Sequence, residues 1–288
     1  MNQLPKCYRC HKQPCECRDG ITLYHADCRK ILPLLEPGSV RLLWTDPPYG
    51  HSNQDGDLQA ARVRDRVKGA RRRACQPIQN DSAEDMRDVV DDALTSAERI
   101  LKRDCCCCCC GGGGGPKPTF AWTAQRLDAG RYSFFHAVVW DKSGRGNGMG
   151  WRFRRNYEFV MVSHLRGGRL AWADNALAVP NVQRITPPRK RQHPNEKPAQ
   201  LVEAFIKWTT HPGDTILDPF AGSGTALRAA KDLGRKCIGV EIEKRYCDII
   251  VERLRKEPLV ITDKKNRKIT PAGFFGKDEI VRKKQSRK

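Results

Sequence analysis

Residues 214–241, DTILDPFAGSGTALRAAKDLGRKCIGVE, read as a strand, a glycine turn, a helix and a second strand that ends on an acid. Gly222 and Gly224 remove side chains where a ligand must touch backbone, and Thr225 can cap the helix that follows. Glu241 lies nineteen positions after Gly222 at a strand end, placed to hold a ribose diol. The turn differs from a dinucleotide fingerprint, because it has no third glycine in a G-x-G-x-x-G pattern and no basic residue to meet a pyrophosphate. A lone GxG would equally be a tight strand-to-helix turn. With Asp218 before it and Glu241 after it, the pattern describes a site for an adenosine-bearing ligand that carries no phosphate.

The same alternation continues on both sides. PAQLVEAFIKWTT (198–210) reads as a helix before the strand TILDPF, and RYCDIIVERLR (245–255) as a helix after the strand KCIGVE. Strands alternating with helices predict an α/β protein with an open, mostly parallel sheet. A second acid-ended strand lies upstream in VRLLWTDPPYG (40–50). Its apolar run Val40, Leu42, Leu43 and Trp44 suits a strand covered on both faces, and Pro47 and Pro48 end that strand and stiffen the loop beyond it. Ligands of such sheets bind beyond the carboxyl ends of the strands, so TDPPYG and LDPFAGSG are expected to face one crevice.

The remaining elements are less uniform. A strand at ITLYHADC, a helix through RKILPLL and the strand at VRLLW are read as a first β-α-β-like unit ending at Asp46. Residues 51–77 carry seven Arg/Lys against three acids with little apolar periodicity, which predicts either a mobile basic loop facing substrate or a solvated insertion. SAEDMRDVVDDALTSAERILK (82–102) is an amphipathic helix with Ser82 as cap and Met86, Val89, Val90, Ala93 and Leu94 on one face. The run Cys105–Cys110 cannot converge on one metal if it is a strand, since neighbouring side chains point to opposite faces. It reads as a strand of small apolar-behaving residues, with Gly111–Gly115 as a permissive loop. PTFAWTAQRLD has Phe120, Ala124 and Leu127 at helical spacing, and FFHAVVWDK and YEFVMVSHL read as strands.

Composition bounds the function. The chain has 288 residues, a formal charge of +20 and a pI near 9.6, which draws it to a polyanion, with nucleic acid first. No apolar stretch reaches the roughly 18–20 residues of a spanning helix and MNQLPKCYRC is no signal peptide, so a soluble protein without a membrane partner is expected. Residues 255–288 hold twelve Arg/Lys against four Asp/Glu and read as a polyanion-binding tail. Fourteen cysteines in such a chain favour reduced thiols or metal over disulfides. Cys7, Cys10, Cys15 and Cys17, spaced C-x2-C-x4-C-x-C, offer four soft ligands for a structural zinc ion; free thiols on a frayed end are the plainer alternative.

Taken together, TDPPYG, HPNEKPAQLVE and LDPFAGSGT resemble the β group of DNA amino-methyltransferases, including phage and prophage members. The resemblance implies a Rossmann-like, S-adenosylmethionine-dependent methyltransferase fold with a circularly permuted motif order, spanning roughly residues 20–255 between the Cys-rich segment 1–19 and the basic tail 256–288. It implies methyl transfer to the exocyclic amine of a flipped DNA base, catalysed through Asp46, Pro47, Pro48 and Tyr49. Asp46 and the Pro47 carbonyl would accept the amine's N–H groups, and Tyr49 would stack on the base. The cofactor would be held by Asp27, Asp46, Lys197, Pro198, Asp218, Pro219, Phe220, Ala221, Gly222, Ser223, Gly224, Thr225 and Glu241. In that scheme Lys197 meets the methionine carboxylate and Asp27 the surroundings of the adenine. The paired strands near the target base would lie in AVVWDKSGRGNGMGWRFRRNYEFVMV, where Arg152, Arg154 and Arg155 meet phosphate or solvent. Target reading falls to residues 51–77 and a short region 169–193, with Arg184, Arg189, Lys190 and Arg191. The aspartate of DPPY favours adenine N6. Cytosine N4, an RNA amine, and a non-catalytic zinc-bearing nucleic-acid-binding protein are the alternatives. The resemblance places the protein in the cytoplasm of a bacterium or phage-infected host cell; a homodimer is compatible with a sequence that leaves oligomeric state open.

Overall fold

Five parallel strands carry the site, and they are brought together from both ends of the chain. The structure, a computed structural model, describes residues 3–48, 83–111, 120–144, 156–173, 179–188, 196–256, 261–262 and 268–269. Its elements are β1 (Ile21–His25), a one-turn helix α1 (Cys28–Ile31) running into a 3-10 turn at Leu32–Leu34, β2 (Val40–Thr45), α2 (Ala83–Ile100), β3 (Leu101–Gly111), α3 (Phe120–Arg126), β4 (Tyr132–Asp141), β5 (Tyr157–Leu165), β6 (Arg169–Leu170), β7 (Val182–Arg184), α4 (Ala199–Thr209), β8 (Thr215–Asp218), α5 (Thr225–Asp232), β9 (Lys236–Glu241), α6 (Lys244–Arg255), β10 (Ile261–Thr262) and β11 (Lys268–Ile269).

The main sheet runs in the order β1-β9-β8-β2-β3-β5-β4-β7, with β6 alongside β3. The pairs from β1 to β3 are all parallel; β5 is antiparallel to both β3 and β4, and β7 returns parallel to β4. The α/β, mostly parallel architecture expected from the sequence is present. The first β-α-β-like unit is not a pair of neighbours, however. β9 and β8 lie between β1 and β2, because those late strands pair with both. Nor does the helix through RKILPLL continue: Pro33 lacks the N–H an α-helix needs, and the chain tightens there into a 3-10 turn.

Helices cover both faces. On one side β-strand residues such as Leu23, Leu42 and Trp44 pack with Leu201, Phe205 and Ile206 of α4 and with Leu227 and Ile250 of α5 and α6; on the other, Val40 and Leu43 pack with Met86, Val89, Val90, Ala93 and Leu94 of α2. Each such fully buried aliphatic side chain contributes roughly 1.5–3 kcal/mol. The cysteine run sits at the centre of this sandwich as part of β3. Cys106, Cys108 and Cys110 face the α4–α6 side, Cys105, Cys107 and Cys109 face α2, and all six are buried. Burial pushes the Cys109 thiol up to about 12, and it raises Cys107, Cys108 and Cys110 well above the usual thiol range, so these four pack as neutral apolar groups.

Several expectations fall outside the described residues: Tyr49, the basic stretch 51–77, the Ser82 cap, Gly112–Gly115, Arg152, Arg154, Arg155, Arg189, Lys190 and Arg191. Of the basic tail, only the short antiparallel pair β10–β11 is described after Lys256.

Candidate active site

Four neighbouring parallel strands each deliver an acid to the same edge of the sheet. Asp27 follows β1, Glu241 ends β9, Asp218 ends β8 and Asp46 follows β2, in the spatial order of the strands themselves. They line a cleft with about 950 Å³ of empty space, open solvent at its mouth included. Pro47, Pro48, Lys197, Pro219, Phe220, Ala221, Gly222, Ser223 and Thr225 line it too. The TDPP and LDPFAGSG loops therefore face one space.

The turn after β8 is built by backbone demands. Gly222 has φ +50°, and its N–H donates to Glu241 Oε2 at 2.7 Å, which ties the glycine turn to the end of β9. Glu241 Oε1 accepts the Glu243 N–H at 2.8 Å. Burial raises the Glu241 carboxyl to about 7, against the lowering effect of these two N–H bonds. Asp218 is buried, accepts the Phe220 N–H at 3.2 Å, and is raised well above the usual carboxylate range by burial, with Asp46 and Glu241 adding to the rise.

One sequence expectation is corrected here. Thr225 does not cap α5; Gly224 occupies the N-cap at φ +79°, and Thr225 is the first helical residue, its hydroxyl accepting from Arg253 at 3.0 Å. Packing also asks for a bare Gly224, since a Cβ there would sit 2.7 Å from Ile250 Cγ1 of α6. Pro198 stays outside the lining, as the residue preceding α4. Asp27 caps α1 through the Arg29 N–H at 2.9 Å and pairs with the Arg29 guanidinium, which holds its carboxyl below the usual range.

Lys197 is buried in the wall between the loops, with Nζ 2.7 and 2.8 Å from the two Asp46 oxygens and 3.4 Å from Glu158 Oε2. Glu158 on β5 in turn takes Lys142 at 2.5 Å. Burial works against charge at both groups and is outweighed. Asp46 and Glu158 raise the Lys197 ammonium, while Lys197 and Lys142 hold the Glu158 carboxyl low. The ammonium expected to meet a methionine carboxylate thus also anchors Asp46, the acid of the other loop. Sequence reasoning missed Glu158, whose signal is a lone acid at the start of the apolar run YEFVMVSHL. It also missed Glu196, which lines the cleft and pairs with Arg253.

Among the described residues the lining holds six acids and Lys197, but most of the acids are already compensated: Asp27, Asp46, Glu196 and Glu243 pair with Arg29, Lys197, Arg253 and Arg245, and burial favours the neutral form of Asp218. The described residues include no helix long and apolar enough to cross a membrane.

Comparison with known families decides the class. The family described as DNA methylase, of the N6/N4 type, matches residues 40–252, about three quarters of the chain. The chain belongs to this family. It is a DNA amino-methyltransferase, and the match spans both acid-ended loops. The Type II methyltransferase M2.LlaDCHI of Lactococcus lactis subsp. cremoris is 24% identical over 265 residues, covering 83% of this chain and 91% of that protein. Among solved structures, the M1.HpyAVI–SAM complex superposes with a TM-score of 0.59 at 21% identity, covering 82% of this chain and all of that one. The PvuII DNA methyltransferase, described as cytosine-N4-specific, superposes at 0.61 with 19% identity over 83% of this chain and 87% of that one. These superpositions establish the shared α/β methyltransferase fold.

Proposed function

We propose that this family member methylates adenine N6 in DNA, with S-adenosylmethionine as cofactor. The observation that carries the reading is the shared cleft, in which Asp46 and the glycine turn meet across Asp218 and Lys197. The donor set fits the cofactor. Glu241 is aimed from a strand end where a ribose diol can donate to it, and Gly222 gives a bare backbone. When bound, S-adenosylmethionine supplies an electrophilic methyl group.

The chain's own residues prepare the amine. The lone pair of an exocyclic amine is delocalised into its ring, which makes it a poor nucleophile. Asp46 and the Pro47 carbonyl accept its N–H groups and favour a pyramidal nitrogen, and Pro47 and Pro48 keep those acceptors fixed. Asp46 can take the proton the amine must lose. Lys197 and, behind it, Glu158 and Lys142 hold Asp46 in place. The aspartate that opens DPPY favours adenine over cytosine. A base within a duplex cannot reach such a cleft, so it is flipped out, with Tyr49 as its stacking face.

The test offers methyl-labelled S-adenosylmethionine with duplex DNA or with RNA. Label in DNA that is lost in Asp46→Ala, while that variant still binds DNA, is the expected result. Label in RNA alone, or unchanged transfer by the variant, contradicts it.

A further inference from the structure

The four N-terminal cysteines form a separate site that the methyltransferase chemistry does not use. The Sγ atoms of Cys7, Cys10, Cys15 and Cys17 all lie within 4.8 Å of one another, with Cys7–Cys17 at 3.9 Å and Cys10–Cys15 at 3.8 Å. Four sulfurs at the corners of a tetrahedron around a zinc ion, each about 2.3 Å from the metal, stand about 3.8 Å apart. Disulfides would require S–S distances of about 2.05 Å, and a thiol is too weak a hydrogen-bond donor to gather four sulfurs alone. Among the described residues this is the one group of three or more His, Cys, Asp or Glu arranged to hold a metal.

The turn closes through His11 N–H to Cys7 O at 2.8 Å and Cys7 N–H to Lys12 O at 3.0 Å.

We infer that Cys7, Cys10, Cys15 and Cys17 bind one zinc ion, and that the metal knuckle seals the open edge of the sheet at β1. On binding, four S–H bonds are exchanged for four metal–sulfur bonds and four protons pass to solvent, with no oxidant needed. The sealing role follows from what the knuckle touches. Among the described residues β1 is the outermost strand, so the backbone groups of Ile21 and Leu23 that face away from β9 lack a sheet partner there. Tyr8 N–H donates to Leu23 O at 2.7 Å, the Arg9 guanidinium to Ile21 O, and Asp19 Oδ1 accepts the Ile21 N–H at 3.2 Å. Arg9 is also clamped on both Asp19 oxygens, and the Tyr8 hydroxyl donates to Asp248 of α6 at 2.7 Å. The knuckle thus fastens β1, which delivers Asp27, to α6, which starts beside Glu243 at the cleft.

The test uses the full chain purified under reducing conditions without chelator. Elemental analysis should find one zinc per chain. Cobalt substitution should give the visible absorption of a tetrahedral tetrathiolate, and Cys15→Ser or Cys17→Ser should lose both signals. A measurement on the unaltered protein guards against variants that fail to fold: native alkylation followed by intact mass should gain four modified cysteines when a strong chelator is added. Four reactive thiols with no metal, a mass lower by two disulfides, or iron in place of zinc would each overturn the inference.

Discussion

Glu241→Gln isolates the carboxyl proposed to hold the cofactor's ribose. A carboxyl whose pKa moves from 4.5 in the unfolded chain to about 7 in the fold is held roughly 3 kcal/mol less well as an anion there, at about 1.4 kcal/mol per pKa unit. The cause is burial at the strand end, which the N–H groups of Glu243 and Gly222 offset only in part. The sign follows from proton counting. Between pH 4.5 and 7 the folded protein holds a proton that the unfolded chain has released, so this group's contribution is fully present below 4.5 and is lost as pH rises through 7. Gln cannot ionise. Its stability relative to wild type, measured by urea unfolding, should therefore rise by up to about 3 kcal/mol between pH 4.5 and 8. Cofactor binding should move the other way. A ribose diol donates to the ionised form, so wild-type affinity should weaken about 25-fold from pH 7.5 to pH 5.5 as the ionised fraction falls. The Gln variant should bind weakly at both pH values. A stability difference that does not change with pH, together with pH-independent wild-type binding, would show that Glu241 neither ionises in this range nor holds the ribose.

Other consequences are as specific. Lys197→Met removes the cation between Asp46 and Glu158 and should cost about 3 kcal/mol in urea unfolding, near the lower bound for breaking a buried pair, and should abolish methyl transfer. Glu158→Gln keeps the side-chain shape but weakens the hold on Lys197; kcat should fall about tenfold while cofactor Kd is unchanged, the mark of a positioning residue. Gly224→Ala adds a Cβ 2.7 Å from Ile250 at a φ of +79°, and should lower stability by about 2 kcal/mol or more, whereas alanine at Gly38, also at positive φ but with nothing within 4 Å, carries only the backbone cost.

What the sequence disclosed was local. The strand, turn, helix and strand of 214–241 could be read because turn residues and apolar runs are decided by near neighbours, and the six cysteines could be read as a strand because a period of two forbids their convergence. Strand order was not legible in the same way. That β9 and β8 separate β1 from β2 is a matter of pairing between distant segments, and no local pattern encodes it. The same holds at the site. Lys197 and Asp46 are 151 positions apart, so the sequence offered a lysine and an acid but not their contact. Gly224 carried a signal of close approach, but its closeness to Ile250 on the next helix is a contact between segments that a turn motif alone does not name.

The cleft joining Asp46 to the glycine turn is proposed to pass a methyl group to a DNA amine. The most direct measurement is mass analysis of nucleosides from DNA incubated with the protein and S-adenosylmethionine. N6-methyladenine is the predicted product, and it should be absent with Asp46→Ala. DNA that carries neither N6-methyladenine nor N4-methylcytosine, from protein that binds both DNA and cofactor, would contradict the claim; N4-methylcytosine alone would keep the reaction and overturn the choice of base.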